Sequence, residues 1–411
     1  MADDAPSGWL PPGYQPLLEA ATAVFKADQR IRAAWVHGSV ARGDADAVSD
    51  LDVIVAVGDF DIPEFAGGWR ERLQAITPTV MARPSFGQGG SWLSITAEGL
   101  RFDLWVEPAG RVARSAVTDR TLLFDRDGLD ALVPTSPDPP KTSDTKLAEL
   151  GAWVADCVAL YRSAGRRTAA SGFGAEAETN WTAGGLVRLE CAHTLRWILY
   201  SAMVEVNRPL PVTGLKQWSA KLTTDQRRLF EGLPTDDPDP LLAALEDLLG
   251  PLASSDRSPA PSRLAAFPEG YIRGLQLTDL PPPGRLRPLA EEVLALHLYL
   301  AVVVHRQDWL LGLEGVYSLR RLLYELFLEV NGRPPVRSAR SWDDRLTAAQ
   351  RDELLGLPTG TATRAGVIQA HQEVKAAFAR HARSLLRDDY PTALEHAVDS
   401  YVARHLRQAS T

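Results

Sequence analysis

The first third of the chain sets short apolar runs between turn residues. Tyr14 to Arg30 places Leu17, Leu18, Ala21, Val24 and Phe25 at helical spacing, which predicts one amphipathic helix. Ala33 to Val36 is short and apolar and reads as a strand. Leu51 to Val57 is apolar apart from Asp52, the pattern of a strand buried on both faces. Ser91 to Ala97 and Leu100 to Val106 flank Glu98-Gly99, which predicts a hairpin with a two-residue turn. Thr121 to Phe124 supplies a further strand. The expected fold is an α/β (α+β) domain around a small mixed β-sheet over residues 1–140, closed by the Pro/Ser-rich run 133–140.

Beyond that run the pattern turns helical and repeats itself. Residues 195–234 align without gaps on 319–358, an offset of 124, with 17 identities in 40 positions. Glu205, Val206 and Asn207 match Glu329, Val330 and Asn331; Trp218 matches Trp342, and Gly232-Leu-Pro234 matches Gly356-Leu-Pro358. The apolar positions Ile198, Ala202, Met203 and Val206 match Leu322, Leu326, Phe327 and Val330, one stripe of a core helix. Two all-α helical bundles are therefore expected, over 141–255 and 286–411. A Pro/Ser/Gly-rich linker at 256–285 separates them. The longest apolar candidate, Val293 to Val304, is broken by His297 and falls short of the ~18 residues of a membrane span, so no membrane partner is expected.

Composition narrows the classes. Asp+Glu number 52 and Lys+Arg 44, for a net charge of −8. Residues 1–140 hold 20 acids and 12 bases while the remainder holds 32 of each, so all the net charge lies in the first third. A nucleic-acid binder usually carries a basic surplus, and this balance argues against one. Two cysteines, Cys157 and Cys191, give neither a disulfide framework nor a Cys-rich zinc site. The opening residues are acidic and Pro/Gly-rich, unlike a signal peptide, and a cytoplasmic location is expected.

The chemistry gathers in one stretch. Gly38 lets the backbone approach a phosphate, Ser39 offers a hydroxyl at a helix start, and Arg42 lies about one turn further on. Asp50 and Asp52, two apart on a strand, point to one face about 6–7 Å apart along the backbone. Two such carboxylates repel without a counterion, and Mg²⁺, or a pair of ions ~3.5–4 Å apart, removes that cost. Asp103 is a lone acid in an apolar strand, so it too needs a partner, most simply the same metal site.

The order Gly38-Ser39, Asp50-x-Asp52 and Asp103 resembles the nucleotidyltransferase superfamily of the polymerase-β type. The helical region after it looks like the aminoglycoside-type nucleotidyltransferases, and Thr121 to Gly128 is similar to a segment near the end of their catalytic domain. The close resemblance covers about residues 14–135; the second helical copy departs from the usual single one. It implies that Asp50 and Asp52 bind Mg²⁺ and the triphosphate. Asp103 completes the metal site or acts as general base. Gly38, Ser39, Arg42 and Ser49 are the implied nucleotide-binding residues, though Ser49 reads equally as the residue that orders the Asp50 loop. The implied reaction moves a nucleoside monophosphate, AMP foremost, from ATP or another NTP to a hydroxyl of a small molecule. An aminoglycoside antibiotic or a natural-product intermediate leads the acceptor classes, and pyrophosphate is released.

Other residues carry weaker expectations. Glu190 and His193, at i and i+3 on the first repeat's helix, share a face and are candidates for the acceptor pocket together with Trp181. Trp197 and Trp218 are read mainly as core. Glu205 and Asn207 recur in both copies, which points to a helix-end network. Glu107 reads as a solvated strand end, and His37 as a packed histidine beside the phosphate loop. Transfer to tRNA or protein, and a non-catalytic nucleotide sensor, are the competing functions; a homodimer is left open.

Overall fold

A computed structural model describes residues 10–11, 13–84, 90–136, 140–170, 181–210, 217–249, 285–332 and 345–408, without the side chains of 160–170 and 181–184. Contacts divide the chain into two compact units. The first takes described residues from 10 to 136 and from 391 to 408; the second takes 140–249 and 285–390. Both helical copies share one unit, and the last helix leaves them for the first.

The first unit runs α1 (Tyr14–Ala27), β1 (Ile31–His37), α2 (Gly38–Arg42), β2 (Leu51–Val57), α3 (Ile62–Gly67), α4 (Trp69–Ile76), β3 (Thr79–Pro84), β4 (Ser91–Thr96), β5 (Arg101–Pro108) and β6 (Arg120–Asp125). The strands form one six-stranded sheet in the order β3-β4-β5-β2-β1-β6. Only the central pair β2–β5 is parallel, so the sheet is small and mixed as expected. Alternation along β2 sends Val53 and Val55 into a core with Leu18, Ala21 and Phe25 of α1 and Leu73 of α4. Ile54 and Ala56 enter a second core with Trp35, Val112 and Leu129. That double burial explains the unbroken apolar run of β2.

Two boundaries differ from the sequence reading. α1 stops at Ala27 because the Asp28 carboxylate takes the Arg30 backbone N–H at 3.1 Å and its guanidinium at 2.7 Å, closing a turn. The β4–β5 hairpin has a four-residue connection, Ala97 to Leu100, rather than the two-residue turn. The Gly99 N–H donates to the Thr96 carbonyl, Gly99 sits at φ 83°, and the Thr96 N–H donates to the Leu100 carbonyl. A side chain at Gly99 would also meet Cβ of Tyr401 at 2.6 Å. Tyr401 belongs to α13 (Thr392–Gln408), which the sequence placed in the second helical copy and which packs here against the hairpin instead.

The second unit holds α5 (Asp144–Ala170), α6 (Trp181–Val206), α7 (Thr224–Gly232) and α8 (Pro238–Leu249), then α9 (Leu286–Arg306), α10 (Trp309–Val330), α11 (Ala348–Gly356) and α12 (Arg364–Leu386). The duplication is written in its hydrogen bonds. Asn207 donates to the Lys221 carbonyl and Asn331 to the Arg345 carbonyl, both at 2.9 Å. Each also donates to the matching glutamine, Gln226 or Gln350, which closes a capping box on Thr223 or Thr347. Arg196 donates to the carbonyls of Phe230 and Leu233, Arg320 to those of Leu354 and Leu357. Glu205 takes the Ser143 backbone N–H at 2.9 Å and Arg208 at 2.7 Å, the helix-end role its recurrence suggested. α9, which contains Val293 to Val304, is long and apolar enough to cross a membrane by length and composition, yet 78% of its apolar window is buried inside the protein.

Candidate active site

The site grows from the parallel pair at the middle of the sheet. Asp52 on β2 is in register with Asp103 on β5, and with His37 on the other neighbour, β1. Asp50, just before β2, reaches the same side of the sheet. Carboxylate oxygens of Asp50, Asp52 and Asp103 all lie within 4.8 Å of one another, a spacing that suits a shared divalent cation.

The loop after β1 is shaped around Asp52. Gly38 adopts φ 71°, and a Cβ there would come within 2.6 Å of Asp52 Oδ2. Both the backbone conformation and the close approach therefore demand glycine. α2 starts at once from β1, which leaves Ser39 half-buried in its first turn.

A cation already sits in the cluster. The Arg101 guanidinium lies 3.2 Å from Asp50 and 3.3 Å from Asp103, and Arg101 is only 8% exposed. Its backbone N–H donates to the buried Tyr14 hydroxyl at 3.2 Å. Three carboxylates this close repel one another, and an all-oxygen donor set at this spacing fits a divalent metal. The sequence reading missed Arg101; its place two residues before Asp103, on the same strand face, was the available signal.

The neighbours of the acids are fixed by ion pairs. Arg42 is held by Asp119 at 2.9 Å and Asp44 at 3.3 Å. Ser49 turns its hydroxyl into its own loop, donating to Asp46 Oδ1 and accepting the Asp46 backbone N–H, each at 2.9 Å. It orders the approach to Asp50, one of the two roles the sequence left open. Glu107 is no solvated strand end: it takes a two-pronged contact from Arg120, whose side chain is 1% exposed. Burial pushes His37 down to about 4, with Asp119 opposing and Arg120 adding to the shift, so the ring is neutral at pH 7. It is a packed histidine, edge-on to Trp105 at 6.1 Å.

The acceptor candidates lie in the second unit. Glu190 and His193 line one cavity there together with Trp197 and Trp218. Trp197 also stacks on Trp153 and Trp218 on Tyr200, so both tryptophans are core as well as wall. Trp181 begins α6, and its side chain lies outside the described residues.

Residues 19–75 match the family model of the polymerase beta nucleotidyltransferase domain. That span holds the greater part of α1, the Gly38-Ser39 turn and the first two acids, and the strand register adds the third. No curated protein matches the chain. Within the first unit, residues 19–75 therefore carry a polymerase-β-type nucleotidyltransferase domain. The protein is a nucleotidyltransferase, with a carboxylate cluster suited to a divalent metal and an NTP.

Proposed function

We propose that the enzyme moves a nucleoside monophosphate, AMP foremost, from an NTP to a hydroxyl of a small molecule such as an aminoglycoside or a natural-product intermediate. The observation that carries it is the convergence of Asp50, Asp52 and Asp103 beside the Gly38-Ser39 turn. Mg²⁺ held by these carboxylates would neutralise charge on the phosphoryl oxygens and align the triphosphate. Asp103 accepts the proton of the acceptor hydroxyl as its oxygen attacks the α-phosphorus, and the bond to the β-phosphate oxygen breaks to release pyrophosphate.

The small-molecule reading draws support from two features. The net charge of −8 arises wholly in the first third of the chain, which disfavours a polyanionic acceptor such as tRNA. The helical unit also carries a cavity lined by aromatic rings, Glu190, Glu314 and the arginines Arg196, Arg320 and Arg321, a mixed lining of the kind that takes small organic ligands. Incubation with labelled NTPs, Mg²⁺ and panels of small molecules, tRNA and protein tests the reading. Label is expected on a small molecule and absent with Asp50→Asn plus Asp52→Asn. Label in a tRNA or protein band would overturn the acceptor class. Activity unchanged in the double variant would overturn the catalytic role of the acids.

A further inference from the structure

The last helix of the chain returns to the catalytic sheet. α13 buries Leu394, Ala397, Val398 and Tyr401 at helical spacing and packs along β3. Tyr401 and the Ala397 carbonyl lie on the Gly99 turn. A Cβ at Gly99 would come within 2.6 Å of Tyr401 Cβ and 3.0 Å of that carbonyl. Two residues on, Arg101 opens β5. Its backbone N–H donates to the hydroxyl of Tyr14, on α1, at 3.2 Å. The turn that delivers Arg101 is thus held by two tyrosines, one from α1 and one from α13. They are 2% and 3% exposed.

That grip matters because of what Arg101 touches. Its guanidinium reaches Asp50 at 3.2 Å and Asp103 at 3.3 Å, two of the three carboxylates that a divalent ion would share. A long side chain that is free to move gains rotamer entropy when it leaves its partners. One whose backbone and stem are fixed gains less, so it competes harder for the same oxygens. Tyr401 is placed to act on this balance. Burial pushes its hydroxyl up to about 12, with Arg101 opposing and Asp50 adding, so the phenol keeps its proton within the field of both. Burial also pushes Tyr14 well above its usual range, with Tyr401 and Asp50 adding. Tyr14, Tyr401, Asp50 and Arg101 therefore act on one another as one buried cluster.

We propose that Tyr401 is a positioning residue for the metal site: by fixing the Gly99 turn it holds the Arg101 guanidinium on Asp50 and Asp103, and so sets how tightly the three acids take a divalent cation. The helix most distant in sequence from the Gly38-Ser39 motif thereby tunes the site that the motif begins. The inference holds for any acceptor and rests only on the metal-binding role of the acids.

Calorimetric titration of the full chain with Mn²⁺, without nucleotide, tests it. Tyr401→Ala is expected to bind Mn²⁺ about tenfold more tightly than wild type, because the cation then displaces a guanidinium that is no longer held. Leu394→Ala, also buried on α13 and about 10 Å away along the helix, should lower Tm and leave Mn²⁺ affinity unchanged. Added to Arg101→Met, Tyr401→Ala should bring no further gain, since no guanidinium is left to release. Tyr401→Leu decides the matter should the alanine variant not fold. Unchanged or weaker Mn²⁺ binding in the folded Tyr401 variant, an equal gain from Leu394→Ala, or a full further gain on top of Arg101→Met would overturn the proposal. Mn²⁺ binding by none of these forms would overturn it together with the metal reading of the acids. Failure to label any small molecule would overturn the acceptor reading alone.

Discussion

Asp52 and Asp103 stand opposite each other across β2–β5, the one parallel pairing in the sheet. Residues paired across strands lie about 5 Å apart, so the register itself brings two of the three acids together. Asp52→Asn and Asp103→Asn are each expected to lower nucleotidyl transfer at least about 100-fold, the loss typical of a removed charge-stabilising group. They should also diminish the rise in Tm on adding Mn²⁺. Pyrophosphate release and thermal melts read the two effects separately.

Arg101 shares Asp50 and Asp103 with any incoming cation. Arg101→Met removes a positive charge that faces both. Metal-free protein should lose on the order of 3 kcal/mol, because two carboxylates lose the guanidinium they share. Mn²⁺ should then bind more tightly than to wild type and restore the lost stability. Weaker Mn²⁺ binding would show that Arg101 supports the site instead of competing for it.

Gly38→Ala tests the turn beside Asp52. A left-handed backbone carrying a side chain costs on the order of 1–3 kcal/mol, and the new Cβ falls 2.6 Å from Asp52 Oδ2. The carboxylate must move, so kcat should fall more steeply than the melting temperature alone explains. Parallel melts and initial rates measure this.

The buried Glu314 carboxyl makes stability depend on pH. Its carboxyl is raised from 4.5 to about 7 in the fold. Between those values the folded chain holds a proton that the unfolded chain has released, so stability falls as pH rises through the window and levels off above it. Glu314→Gln lacks that loss. Its unfolding free energy should approach that of wild type near pH 4.5 and exceed it at pH 8, by a margin on the order of 1–3 kcal/mol. A constant difference across pH would contradict the assignment.

Asn207 and Asn331 make the same two hydrogen bonds in the two copies. Replacing either by alanine should cost about 1–2 kcal/mol, and the two losses should add. Urea melts of the single and double variants check both statements.

Much of this was legible in the sequence, for identifiable reasons. The apolar run of β2 needed two cores, and the fold supplies them. The spacing of Asp50 and Asp52 fixed their common face, and the repeat offset located matching caps. Less visible were α3, α4 and β3. α4 buries only Trp69, Leu73 and Ile76 over eight residues, and β3 is a short edge strand ending in Pro84. Their patterns are too brief to stand above their neighbours. Arg101 and Glu107 were misjudged or missed because each acts through a partner distant in sequence, Asp50 or Arg120. The place of α13 depended on Gly99 leaving room for Tyr401, a matter of tertiary fit that local spacing does not record.

In the helical unit Glu190 accepts the Tyr317 hydroxyl and Glu314 lies beside His193. Positions 190 and 193 match 314 and 317 at the repeat offset of 124, so these are swapped contacts, of a kind usually made between two separate subunits. Here one polypeptide supplies both halves. Dilution therefore cannot part them, and the pocket exists at any protein concentration. Joining also lifts a constraint. Identical subunits must change both sides of an interface at once, whereas these halves can drift apart singly. His193, stacked on its matched Tyr317, records that freedom.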